Sequence, residues 1–180
     1  MKPSHTRSAT SCSTVQLAIR DGLISIPLGA LIGSACAAFL WSLDTVTKIR
    51  LDHPFVIYFL PVAGIGIGWI YTHFGRSTGP GNNLVIQSIR SAQPVPRRMA
   101  PIIFLSTLAT HLFGGSAGRE GTAVQMGAGM ASAACGLFKP SDVSRQTLLL
   151  SGVAAGFGGV FGTPFAGAVF CLEMIAHNRP

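Results

Sequence analysis

Charge is what this sequence has least of. Asp, Glu, Lys and Arg make up 11% of its residues, against roughly 25% in an ordinary soluble domain. A soluble surface needs charge to cover it, so this scarcity argues against a soluble enzyme or binding module. The four cysteines, Cys12, Cys36, Cys135 and Cys171, form no CxxC pair and mostly sit inside apolar runs. Buried free thiols are expected from them, not a disulfide or a metal site. There is no nucleophile–base constellation, no HExxH and no paired metal-ligand spacing, so no enzyme, metal or cofactor is expected. A basic stripe and an aromatic stacking platform are also missing. The net charge of +7 is carried by basic residues standing singly or in pairs between apolar runs, which suits juxtamembrane positions and not nucleic acid. No cleavable signal pattern is visible: the first apolar run begins near Leu23 and is long, so it is expected to stay as a membrane helix.

What is present is apolar residue, 48% of the chain, with 22 glycines and 11 prolines. Disordered chains are poor in apolar residues, so glycine here points to close-packed membrane helices. Gly22 to Leu43 contains no Asp, Glu, Lys or Arg, and at about 1.5 Å per residue it can cross a hydrocarbon core of about 30 Å. Further charge-free stretches run from Pro54 to Gly75, Met99 to Gly118, Gly121 to Phe138 and Gln146 to Leu172. Trp69 and Tyr71 suit an interfacial belt. The last stretch is broken by Gly158, Gly159, Gly162 and Pro164, which predicts two shorter helices. Small residues recur at four-residue spacing in Gly29/Gly33, Gly64/Gly68, Gly152/Gly156 and Gly158/Gly162, a pattern that lets helix backbones approach closely in lipid. Residues 1–19 are expected to form a polar cytoplasmic tail, mobile to about Ser13. Lys2, Arg7 and Arg20 favour a cytoplasmic amino terminus, whereas Lys48 and Arg50 pull the other way.

Three segments interrupt the helix pattern: Gly79-Pro80-Gly81-Asn82-Asn83-Leu84, Gly114-Gly115-Ser116-Ala117-Gly118-Arg119-Glu120-Gly121-Thr122, and Gly158-Gly159-Val160-Phe161-Gly162-Thr163-Pro164. Irregular backbone at membrane depth is tolerated only where protein buries it or water reaches it. Each segment reads as a helix start, with Asn or Thr at a plausible cap and Pro164 at a first helical position. Helix starts turn unpaired N–H groups and partial positive charge outward, which favours an anion. Several broken helices converging their amino ends would build an anion site without a full cation. Glu120 is one of six acids and falls between two apolar stretches at such a start, where an ionisable residue marks function. As a carboxylate it would occupy the anion's seat, and protonated it would leave, coupling the anion to protons. The competing reading pairs it with adjacent Arg119, although neighbours in sequence do not face each other on a helix.

Gly118-Arg119-Glu120-Gly121-Thr122 through Gly127 resembles the G-[RK]-E-G-P signature of the CLC chloride channels and anion/proton antiporters. Ser151 to Phe157, followed by Thr163-Pro164-Phe165-Ala166-Gly167, is similar to the helices that follow it there. The resemblance runs from about residue 20 onward, with both motifs in register. It implies an all-α, integral membrane helical bundle with broken, re-entrant helices, residues 20–180 forming the first inverted repeat. It also implies that Glu120 is the gating, proton-coupling glutamate, with Gly118, Arg119 and Gly121 in its loop. The family's G-S-G-I-P filter matches Gly81-Asn82-Asn83-Leu84-Val85, so Asn82 replaces the serine. Thr122 replaces a proline, and Met174, beside Glu173, stands where exchangers carry an inner glutamate. Together these resemble the CLC-F branch, which exchanges fluoride for protons. An amide donates hydrogen bonds to a small, strongly hydrated anion.

The expectation is therefore fluoride/proton antiport in the inner or plasma membrane. Gly81, Asn82, Asn83, Gly118, Arg119, Gly121 and Thr122 would form the anion site, and Thr163 with Pro164 a supporting helix start. The partners are a small halide, protons and the bilayer, with a homodimer implied by the family. The alternatives are a chloride channel or chloride/proton exchanger, and a truncated, non-transporting fragment or assembly partner, since the second repeat expected of the family is absent from these 180 residues. Among other residues, His111 is expected to pack, while His53, His73 and His177 fall near span ends. Asp44, Lys48 and Asp52 should form a solvated helix end, and Arg97 and Arg98 should touch headgroups. Gln87 and Ser88 are expected to face water, and Glu173 is an alternative proton carrier.

Overall fold

The structure is a computed structural model that describes residues 6–76, 78–79, 81–91 and 94–176, with side chains described from residue 19 onward except that of residue 175. Pro80, His177 and the first five residues, all named above, lie outside the described residues, as does the Cys12 side chain. Helices account for the chain in order: α1 (Thr6–Asp52), a 3-10 turn (Pro54–Phe59) leading into α2 (Leu60–His73), α3 (Asn82–Ser91), α4 (Met99–Leu112), α5 (Arg119–Phe138), α6 (Asp142–Phe161) and α7 (Pro164–Ala176).

α1 begins earlier than the polar composition suggests. Helix runs back to Thr6, inside the stretch expected as a mobile tail, because no glycine or proline interrupts residues 6–21. It also runs past Leu43 to Asp52, carrying an i,i+4 ion pair between Asp44 and Lys48. It stops where Pro54 disfavours helical geometry in the residue before it. His53 there has φ −128° and ψ 72°. One stripe of α1 is buried, Leu28, Ile32, Cys36, Phe39 and Leu43, while Ile26, Leu31 and Trp41 on other faces are exposed.

α5 and α6 form the centre. Lys139 ends α5 in the left-handed region (φ 44°), and Ser141 caps α6 by accepting from the Ser144 amide at 3.4 Å. So short a link forces the two helices to lie antiparallel. Their seam is made of small residues: a Cβ on Gly127 would collide with the Gly152 carbonyl, and one on Gly156 with the Ala123 carbonyl. In lipid, dispersion between closely approaching backbones holds such pairs together. α1 lies across the pair, and the Cys36 thiol donates to the Gly156 carbonyl at 3.6 Å. Cys135 and Cys171 are likewise buried and free, as expected.

The break in the last apolar stretch comes later than its first glycines. Gly158 and Gly159 remain helical, against Pro164 and Cys36 respectively, and α6 ends only at Gly162, whose φ of 67° suits a residue without a Cβ. Pro164 then opens α7, with Thr163 supplying the first accepting carbonyl, to the Gly167 amide at 3.1 Å. Of the four-spaced pairs, Gly152/Gly156 is closed against α5, whereas a Cβ at Gly29, Gly33, Gly64, Gly68 or Gly162 would meet nothing within 4 Å.

Candidate functional site

Two of the three interrupted segments come together. Gly81 adopts φ 60°, and its carbonyl accepts from the Leu84 and Val85 amides at 3.1 and 3.4 Å. Gly81 is thus the cap of α3 and Asn82 its first helical residue, so the asparagine side chain is not used to cap its own helix as the sequence suggests. It reaches α5 instead: Gln125 Nε2 donates to Asn82 Oδ1 at 3.1 Å. A Cβ placed on Gly121 would lie 3.3 Å from Asn82 Nδ2, so glycine permits the close approach there. With Oδ1 engaged as acceptor, the amide nitrogen is left as a donor beside the start of α5. α3 itself is amphipathic, burying Val85, Ser88 and Ile89. Ser88 therefore faces the core, not water, because it shares a helical face with Val85.

α5 starts without a side-chain cap. Gly118 is extended (φ −69°, ψ 125°), which leaves the first-turn N–H groups for an outside acceptor. Glu120 is exposed in the isolated chain, and its Oε2 would lie 3.4 Å from a Cβ on Gly118. The carboxylate thus folds back over the positive end of its own helix, where an acidic group is favoured. No ion pair joins Arg119 to Glu120; among the described residues the ion pairs are Arg20–Asp21 and Asp44–Lys48.

Thr122 belongs to the opposite side of the helix. It is buried, its hydroxyl donates to the Gly118 carbonyl at 2.9 Å, and its oxygen lies 2.9 Å from that of Thr107. Its one hydroxyl proton is thus committed to the Gly118 carbonyl, and its side chain has no second proton to offer the anion expected there. Arg119 lines a polar cavity beside His111 and Asp44, away from Asn82. Asn83 is exposed. Thr163 and Pro164 do open a helix, but Pro164 lines a separate cavity with Gly29 and Gly33, and no described contact joins it to Asn82 or Glu120. Two residues escape sequence reasoning: Gln125 and Thr107. Gln125 was detectable as the residue one turn beyond Gly121 on the same face; nothing in sequence marks Thr107.

The site can present a neutral amide donor and unspent backbone N–H groups to an anion, with one carboxylate able to take the same place. Residues 63–179 match the family model described as voltage gated chloride channel. The chain is 46% identical over 159 residues to a chloride/fluoride channel protein of Pseudomonas syringae pv. tomato, covering 88% of this chain and 34% of that protein. It is 28% identical over 166 residues to an H(+)/Cl(−) exchange transporter, ClcA, of Cronobacter sakazakii, covering 84% and 36%. The crystal structure of a CLC-type fluoride/proton antiporter superposes with a TM-score of 0.82 at 37% identity, over 87% of this chain and 40% of that one. The chain therefore spans roughly a third of the length of the curated relatives it matches.

Proposed function

The chain belongs to the voltage-gated chloride channel family, and on that premise we propose that it serves fluoride/proton antiport with Glu120 as the gate. It is a multi-pass integral membrane protein of all-α architecture. Ile19–Asp52 and Pro54–His73 are long and apolar enough to cross a membrane. Residues 20–180 act as the amino-terminal repeat of the transport domain, and the intact protein works as a homodimer.

The single observation that carries the reading is the convergence of Asn82 on the start of α5, its Oδ1 held by Gln125 and its Nδ2 beside Gly121. A fluoride ion accepts from Asn82 Nδ2 and from backbone N–H groups at the two helix starts around Asn83, Gly118 and Gly121, the Gly81 N–H being already given to the Thr78 carbonyl at 3.0 Å. The ionised Glu120 competes for the same positive end. Once protonated it loses that attraction and swings away with its proton, so anion and proton exchange places. Gln125 keeps the amide the right way round, and Thr122 keeps the loop fixed through Gly118.

The second reading, chloride/proton exchange or a chloride channel, draws on the similarity to the Cronobacter exchanger. Flux from liposomes loaded with sodium fluoride or sodium chloride separates the two. Fluoride should leave about tenfold faster, the ratio that a difference of about 1.4 kcal/mol in transition-state binding produces. Equal turnover removes the fluoride assignment.

A further inference from the structure

The turn that leads into α5 has a second face, which the gate as described does not use. It borders an open cavity of about 520 Å³, walled by α1, the end of α4 and the turn itself, whose polar lining is Asp44, Thr47, His111, Ser116 and Arg119. The larger cavity between α1 and α5, about 630 Å³, is walled by apolar side chains alone, from Leu23 to Phe138, and offers an ion nothing.

We propose that this polar cavity is a halide-docking site beside the gate, in which Arg119 supplies a fixed positive charge and His111 one that appears on protonation. The inference rests on the anion-transport reading and adds to it where the anion waits.

The charges favour an anion. Asp44 is already paired with Lys48, and Arg119 has no acidic partner among the described residues. From the next turn of α1, Arg50 Cδ would come within 3.7 Å of a Cβ on Gly114, and Arg50 Nε is buried without a hydrogen-bond partner. α2 meets this region through Leu60, beside Gly115; its titratable groups, Tyr71 and His73, are at its other end. Tyr58 of the 3-10 turn is 83% exposed. Asp52 and His53, at the end of α1, are exposed, and Glu120 is the acid on α5 itself. The Thr47 hydroxyl is spent on the Leu43 carbonyl at 2.7 Å, while Ser116 and Arg119 remain as donors.

His111 is poised to add to them. Its Nδ1 lies 2.9 Å from the Thr107 carbonyl, and a carbonyl only accepts, so Nδ1 carries the proton of the neutral ring. Nε2 is then the atom that takes up the second proton, and once it does it becomes a charged donor. The same Thr107 connects the histidine to the gate. Thr122 gives its one hydroxyl proton to the Gly118 carbonyl, so the Thr107 hydroxyl must donate to Thr122. The bonds run His111 to Thr107, Thr107 to Thr122 and Thr122 to Gly118, where an added Cβ would lie 3.4 Å from Glu120 Oε2. A halide in the cavity favours the imidazolium, and by reciprocity the imidazolium tightens the halide.

The test reads the histidine directly. The His111 ring resonances of the purified full chain are followed by 1H–15N NMR from about pH 8 to about pH 5, the range in which histidines change charge. Sodium fluoride, sodium chloride and sodium gluconate are compared at equal ionic strength. The titration midpoint should rise in either halide relative to gluconate, and this rise should vanish in Arg119→Gln. In flux measurements the halide KM should fall about tenfold on acidification, within the usual range of such couplings. His111→Gln, which keeps a side-chain donor, should reduce that pH dependence of KM to the part that protonation of Glu120 alone supplies. A midpoint that is the same in halide and gluconate, or a KM in His111→Gln that keeps its wild-type pH dependence, overturns the proposal. A halide-linked midpoint in a chain that transports nothing would retain the docking site and reject the transport reading, so the two fail separately.

Discussion

The α5–α6 seam and α2 carry the same sequence signal and put it to different use. Gly152 and Gly156 are four apart in α6, as Gly64 and Gly68 are in α2. At Gly156 an added Cβ meets the Ala123 carbonyl, but at Gly64, Gly66 or Gly68 it meets nothing within 4 Å. α5 buries ten residues and α2 none. The difference is in the partner. α5 offers α6 a matching ladder of small residues, Ala123, Gly127 and Ala131, at the same four-residue interval, so the two backbones can close on each other along their length. Glycine spacing permits close approach; only a complementary ladder on a second helix achieves it.

Substitutions rank the two regions. Gly156→Leu should cost about 3 kcal/mol or more, since a backbone carbonyl cannot yield to it, and thermal melting in detergent should show loss of the cooperative transition. Thr122→Val, next to the seam, should cost about 2 kcal/mol because Thr107 and the Gly118 carbonyl each lose a buried partner, with a clear fall in melting temperature. Gly162→Ala should cost about 1 kcal/mol by forcing a Cβ into the left-handed region in otherwise open space. Gly66→Ala should change stability by no more than about 0.5 kcal/mol against its neighbours, before any gain from helix propensity. A loss at Gly66 as large as that at Gly156 would break the contrast and mean that α2 has an occupant of its own.

Helix content was legible in the sequence because charge-free stretches of this length have few other options in lipid. Helix ends were less so. The later break at Gly162 follows from Gly158 and Gly159 meeting Pro164 and Cys36, contacts that no local pattern encodes. At the site, Asn82, Gly121 and Glu120 could be named in advance because glycine-rich interruptions in apolar sequence are conspicuous. Gln125 and Thr107 look like ordinary polar residues within helices, and their meaning comes from what they face, Asn82 and Thr122. Thr122 lies inside the motif, yet a helix turns 100° per residue, so its side chain points away from its neighbour Gly121.

The central claim is that one carboxylate and one passing anion share the positive end of α5. Fluoride-driven proton movement in liposomes containing the wild-type chain or Glu120→Gln tests it most directly. Proton movement coupled to the fluoride gradient in the wild type, and its loss in Glu120→Gln, is the predicted result. Proton movement that continues undiminished in Glu120→Gln would contradict it.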